Sequence, residues 1–222
     1  MSKIKLFDLS VDDSEKSALN QTFDSHFWAS GSGIGNVKKF EDNFCKYVGS
    51  KSCIAVNSGT AALNLALSVY DIKNKEVILP SLSFVSTAHA VIENGGIPVF
   101  ADIDKQTLCI DPIEIRKLIS KKTKIILPVD YAGLPANLNE IKKICKENNL
   151  HLIEDAAHAS GSTYQNKLIG SHSDLVCFSF HPVKNLAMPT GGLISVNTKN
   201  YKKISKILKE KRWCGISNRK GV

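Results

Sequence analysis

The chain has 222 residues, 43% hydrophobic and 23% charged, which excludes a disordered or collagen-like protein and allows one large domain whose core needs no disulfides. The formal net charge is +8, yet residues 199–222 carry nine Lys or Arg and one acid, leaving 20 basic and 20 acidic residues before them. The excess therefore reads as the solvated face of one Lys-rich helix, and with only Tyr201 and Trp213 as aromatics it offers no base-stacking surface, so no nucleic-acid partner is expected.

In chain order, residues 12–28 and 36–48 read as helices, separated by the turn Ser30-Gly31-Ser32-Gly33-Ile34-Gly35. In the second, Val37, Phe40, Phe44 and Tyr47/Val48 recur at helical spacing and Gly49 is a stop signal. The apolar run Cys53–Val56 leads into Asn57-Ser58-Gly59-Thr60 and a helix to about Tyr70. Strands are predicted at Glu76–Leu79, Ile97–Asp102, Lys124–Val129, His151–Asp155, Asp174–Phe180 and Leu193–Val196. Helices are predicted at Val85–Glu93, Pro112–Ile119, Leu138–Asn148 and Lys199–Trp213. Continuous apolar strands alternating with helices argue for an α/β fold with a mainly parallel sheet covered on both faces. In such folds ligands collect at the carboxyl ends of the strands.

The six cysteines (Cys45, Cys53, Cys109, Cys145, Cys177, Cys214) contain no C-x₂-C pair, and four lie in apolar stretches. Buried thiols in a reducing compartment explain this better than a disulfide framework. The first residues lack the apolar core of a signal peptide, and no run approaches the roughly 18 apolar residues of a membrane span. A cytoplasmic protein without a membrane partner is expected.

Three segments carry candidate chemistry. Ser58-Gly59-Thr60 lies between a strand and a helix, where glycine and free N–H groups can receive an anion, although Ser or Thr there is also an ordinary helix cap. Asp155 in Ile153-Glu154-Asp155-Ala156-Ala157-His158 falls at a strand's carboxyl end, where a carboxylate can pair with a cationic ring nitrogen or simply cap a helix. Glu154 and His158 lack a second clustered ligand set, so no metal is expected. Lys184 follows the apolar strand in Cys177-Phe178-Ser179-Phe180-His181-Pro182-Val183-Lys184; it is either a surface lysine or a partly desolvated amine able to form a Schiff base. A phosphate cradle, a carboxylate and an amine, each near a strand end, are the three groups that pyridoxal 5'-phosphate needs.

With these pieces the sequence resembles the DegT/DnrJ/StrS family of pyridoxal-phosphate-dependent sugar aminotransferases, of the fold-type I group. The matching segments include 57–63, 79–88, 99–103, 153–158 and 178–184, spread over about residues 25–200. The resemblance implies a three-layer α-β-α large domain with a mostly parallel mixed sheet. It implies that residues 1–222 form that domain, with an N-terminal helical arm at about 1–50, and that the small C-terminal domain of relatives is absent. It also implies roles. Lys184 would hold the cofactor as a Schiff base and later shuttle a proton, and Asp155 would pair with the ring nitrogen. Phe84 would cover the ring face, His158 would sit near its hydroxyl edge, and Gly59, Thr60 and Ser179 would bind the phosphate. Histidine replaces the lysine in the family's dehydratases, so Lys184 favours transamination, with glutamate as amino donor, a nucleotide-linked keto sugar as acceptor, and a homodimer as the working form. A catalytically inactive cofactor-binding fragment or regulatory homologue is the alternative. Two departures, Pro189-Thr190-Gly191-Gly192 after the lysine and Arg212-Trp213-Cys214-Gly215 near the end, leave the sugar open.

Overall fold

The computed structural model describes residues 8–28 and 33–217, so Ser30, Gly31 and Ser32 of the turn and residues 218–222 of the basic segment lie outside the described residues. The strands are β1 (Ser52–Val56), β2 (Glu76–Pro80), β3 (Ile97–Ala101), β4 (Thr123–Ile126), β5 (His151–Asp155), β6 (Thr163–Tyr164), β7 (Lys167–Leu168), β8 (Leu175–Ser179) and β9 (Gly192–Val196). The helices are α1 (Asp13–Asp24), α2 (Asn36–Val48), α3 (Gly59–Leu67), α4 (Val85–Glu93), α5 (Pro112–Leu118), α6 (Leu138–Asn148) and α7 (Tyr201–Arg212).

Seven strands form one sheet in the order β1-β9-β8-β5-β4-β2-β3, and β6 and β7 make a separate hairpin. Only β9 runs antiparallel to its neighbours in the large sheet; the other strands are parallel. Successive strand residues face opposite sides, so each strand feeds two cores. Ile78, Ile126, Leu152 and Phe178 pack with Phe44, Ile115 and Ile141 of α2, α5 and α6. Val77, Ile125, Ile153 and Cys177 pack with Leu63, Val91 and Leu208 of α3, α4 and α7. This is the expected three-layer α-β-α arrangement with a mostly parallel sheet.

The boundary differences have local causes. The first helix ends at Asp24 rather than 28, and His26 two residues on is left-handed (φ 55°). It buries no residue, whereas α2 buries Phe44 and Val48 against the sheet. Strand β4 stops at Ile126 although the apolar run continues to Val129, because Pro128 has no N–H to give the ladder. The β6–β7 hairpin turns on Gln165 and Asn166, both at positive φ, with no glycine to mark it in the sequence.

One charge expected on the solvated face of the last helix is instead buried. Arg212 keeps 9% of its side-chain surface and pairs with Glu41 of α2, which keeps 3%. The same Glu41 oxygen accepts from the Ala55 N–H at 2.9 Å, and Arg212 donates to the Ala55 carbonyl at 3.1 Å. The pair thus joins α2, β1 and α7, while Lys202, Lys203, Lys206 and Lys209 stay exposed as expected. Removing one member leaves the other charged and buried. Glu41→Ala is therefore expected to cost about 3–5 kcal/mol, read as a lower urea midpoint, whereas Lys206→Ala changes stability by under about 0.5 kcal/mol.

Candidate active site

The carboxyl ends of β1, β5 and β8 and the amino end of β9 meet at a cavity of about 350 Å³. Its lining includes all seven residues singled out in the sequence: Gly59, Thr60, Phe84, Asp155, His158, Ser179 and Lys184.

Its anion end is built by β1 running into α3. Ser58 caps α3, its Oγ accepting from the Ala61 N–H at 3.1 Å. The N–H groups of Gly59 and Thr60 lead the helix and have no acceptor within it, so they suit an anion. Ser179, at the end of β8, closes the other side: a Cβ on Gly59 would lie 2.7 Å from the Ser179 Cβ. Glycine is needed there to let α3 approach β8. Gly192 is packed as tightly, since a side chain would overlap the Ser58 carbonyl.

Asp155 ends the central strand and is 4% exposed. Its Oδ2 accepts from Thr87 Oγ1 at 2.9 Å, and its Oδ1 from the Ala157 N–H at 3.2 Å. Thr87 in turn shares a hydrogen bond of 2.6 Å with Ser83 Oγ. Burial pushes the Asp155 carboxyl above its ordinary range, and the Thr87 and Ala157 donors and the Lys184 charge only partly offset it. A buried carboxylate with two neutral donors has acceptor capacity left for a cation.

Lys184 lies in the turn after β8, its N–H bonded to the His181 carbonyl at 2.8 Å. It is half-buried, and desolvation lowers its ammonium pKa against the opposing pull of Asp155. A larger neutral fraction makes the amine a better nucleophile. His158 is also half-buried; desolvation first and the Lys184 charge second lower its pKa. Its Nδ1 accepts from the Ala132 N–H at 3.3 Å, and its ring meets Tyr131 edge-on at 6.2 Å. Phe84 is 73% exposed at the mouth, an apolar ring with one face available for stacking.

These residues fit pyridoxal 5'-phosphate. The glycine cradle suits its phosphate, the under-satisfied Asp155 suits a protonated ring nitrogen, and Lys184 suits its aldehyde. Thr87, Tyr131 and Thr190 were not anticipated. Thr87 had a usable signal, because it falls on the buried stripe Thr87, Ala90 and Val91 of α4, where a hydroxyl needs a partner. Thr190 Oγ1 holds the Asn57 carbonyl, a contact across 133 residues that local pattern cannot reveal.

The neighbour of Asp155 points the other way. Glu154 is fully buried on the α6 side, accepting from Ser173 Oγ and lying beside Asp130, which is also fully buried. Among the described residues, no hydrogen-bond donor is found for Glu154 Oε1 or Asp130 Oδ2. One proton between the two carboxyls would satisfy both oxygens. Burial first and Glu154 second raise Asp130 well above the ordinary range, and burial raises Glu154 as well. Among the described residues no cluster of three His, Cys, Asp or Glu is placed to bind a metal.

The fold and site define a fold-type I pyridoxal-phosphate architecture of the aminotransferase kind. The chain belongs to the DegT/DnrJ/EryC1/StrS aminotransferase family, which it matches over residues 10–221. It is 43% identical over 162 residues to the spore coat polysaccharide biosynthesis protein SpsC of Bacillus subtilis, covering 72% of this chain and 42% of SpsC. Helicobacter pylori PseC, an aminotransferase involved in the biosynthesis of pseudoaminic acid, superposes with a TM-score of 0.82 at 32% identity, over 91% of this chain and 54% of PseC. Streptococcus pneumoniae Spr1654 has been solved in PLP and PMP forms; they superpose at 0.81 and 0.83 with 26% identity, over 90% of this chain and about half of Spr1654. The chain thus spans about half the length of the relatives it matches.

A shared proton would give a pH signature. The folded pKa of Asp130 lies above its unfolded value, so the folded chain keeps a proton that the unfolded chain releases near pH 4. That contribution is full below the unfolded value and is lost as pH rises through the folded one. Asp130→Asn supplies a permanent donor to Glu154, so its urea stability is expected to fall less than that of the wild type between about pH 5 and pH 9. Parallel curves for the two proteins would contradict a shared proton.

Proposed function

We propose that residues 1–222 are the cofactor-binding large domain of a pyridoxal-phosphate-dependent sugar aminotransferase, with the first helix as part of an N-terminal arm. The amino donor is glutamate and the acceptor a nucleotide-linked keto sugar. The observation that carries this reading is the convergence of Lys184, Asp155 and the Gly59–Thr60 cradle on one cavity at the carboxyl edge of the sheet. Family membership supports the reaction class, and the PLP and PMP forms of Spr1654 support a cofactor that alternates between aldehyde and amine.

When bound, pyridoxal phosphate supplies a carbonyl that captures amines and a protonated ring that accepts electrons. Asp155 would keep the ring nitrogen protonated, and Thr87 holds that carboxylate in place. Lys184 Nζ would be the group that holds the aldehyde, and as a free amine it would be the base that moves a proton at the substrate carbon. The leading N–H groups of α3, Thr60 and Ser179 Oγ would hold the phosphate, Phe84 would shield the ring from water, and His158 would hold the ring hydroxyl. A second copy of the chain covers the exposed Phe84 rim in this reading. Among the described residues no helix is long and apolar enough to cross a membrane, and all six cysteines are free, which supports work in the cytoplasm.

The test is borohydride reduction of the chain mixed with pyridoxal phosphate, followed by peptide mass spectrometry. A phosphopyridoxyl adduct is expected on the peptide carrying Lys184 and absent from Lys184→Ala; modification spread over surface lysines would overturn the assignment. Amino transfer from glutamate is expected to drop about 100-fold or more in Asp155→Asn with the adduct retained. Cofactor attachment with no transfer by the wild-type chain would favour the alternative of a non-catalytic cofactor-binding protein.

A further inference from the structure

Away from the cavity, where α2 meets β1, two cysteines face one hydroxyl. Ser50 Oγ lies 3.4 Å from Cys45 Sγ and 3.2 Å from Cys53 Sγ. Both sulfurs therefore flank the same side-chain oxygen. Cys45, in the last turns of α2, is partly exposed, whereas Cys53 in β1 is 4% exposed. We propose that Cys45 and Cys53 form a site of reversible oxidation by hydroperoxides, with Cys45 as the attacking thiolate and Cys53 as the resolving thiol.

The environment divides these roles. The Cys53 thiol is the largest influence lowering Cys45, to about 6, with Ser50 and Lys38 assisting while burial and Asp42 oppose. Contact with Cys45 and burial push Cys53 up. The Ser50 carbonyl, 3.1 Å from Cys45 Sγ, accepts from the thiol and so also favours the protonated form. The other buried thiols lack this arrangement: desolvation pushes Cys145 up to about 12 and raises Cys109 and Cys177. An accessible low-pKa sulfur beside a protonated partner is what peroxide oxidation followed by resolution requires.

The steps balance. The Cys45 thiolate attacks one peroxide oxygen, the O–O bond breaks, and hydroxide leaves and becomes water with a solvent proton. Cys45 then carries a sulfenic acid. The Cys53 sulfur attacks it, the S–O bond breaks, and a second water leaves with the Cys53 proton. Two thiols have lost two electrons and one peroxide has become two waters. The new bond staples α2 to β1, the strand whose end leads into the Gly59–Thr60 cradle. Closure needs the sulfurs to contract to about 2.05 Å without displacing the strand.

The experiment uses the full chain carrying Cys214→Ser, which removes the one exposed cysteine and with it cross-linking between molecules. The protein is treated with hydrogen peroxide, alkylated under denaturing conditions and mapped by mass spectrometry. The expected product is about 2 Da lighter before alkylation, has the peptides of Cys45 and Cys53 linked, and returns fully to two thiols with dithiothreitol. Cys53→Ser is expected to stop at a dimedone-reactive sulfenic acid on Cys45, and Cys45→Ser to leave Cys53 unoxidised. Independent alkylation of both thiols after peroxide treatment would overturn the proposal. So would linkage of Cys45 to another cysteine, or faster oxidation of Cys53 than of Cys45.

Discussion

A carboxylate buried at the carboxyl end of the central strand is the constraint around which this molecule is arranged. Asp155 is buried at the floor of the cavity, with two neutral donors for its two oxygens. Burial of this kind costs several kcal/mol for an uncompensated charge. The sheet offsets part of it by placing Thr87 of α4 and the backbone of Ala157 against the carboxyl, and leaves the rest to a cation in the cavity. The half-buried Lys184 supplies some of that charge in the free protein. In the proposed function a pyridinium would supply it more directly and leave the lysine to act as an amine.

Sheet geometry explains how adjacent acids come to do different work. Residues 154 and 155 are consecutive on a strand, so they face opposite layers. One meets α4 and the cavity. The other meets Asp130 and Ser173 under α6, where one proton between the two carboxyls would satisfy both. The same alternation separates the two cores, so the strand end is held from both sides: Asp130 N–H also donates to the Asp155 carbonyl at 3.0 Å. Packing of the loop after β4 and placement of the reactive carboxylate are therefore coupled.

Much of this was legible before any coordinates. The strands were apolar and continuous, the helices periodic, and Ser58-Gly59-Thr60, Asp155 and Lys184 each fell where a strand ended, so the layers and the main site residues followed from pattern and family resemblance. What stayed hidden depends on contacts between distant segments. Nothing near Arg212 distinguishes it from the lysines around it; only Glu41, 171 residues earlier, turns it into a buried clamp. The pairing of Asp130 with Glu154 and the hold of Thr190 on Asn57 have the same character. The antiparallel placement of β9 was implied only as a mixed sheet, since Leu193–Val196 reads as a buried strand in either direction. The missed hairpin turned on Gln165-Asn166, whose positive φ carries no strong sequence mark.

The central claim is that Asp155 keeps a cofactor ring nitrogen protonated, and nitrogen-15 NMR of the chain loaded with ring-labelled pyridoxal phosphate tests it most directly. The account predicts a pyridinium shift with one-bond N–H coupling that persists on raising the pH above the value at which the free cofactor loses that proton, and a pyridine shift in Asp155→Asn. A neutral pyridine nitrogen in the loaded wild-type chain near neutral pH would contradict it.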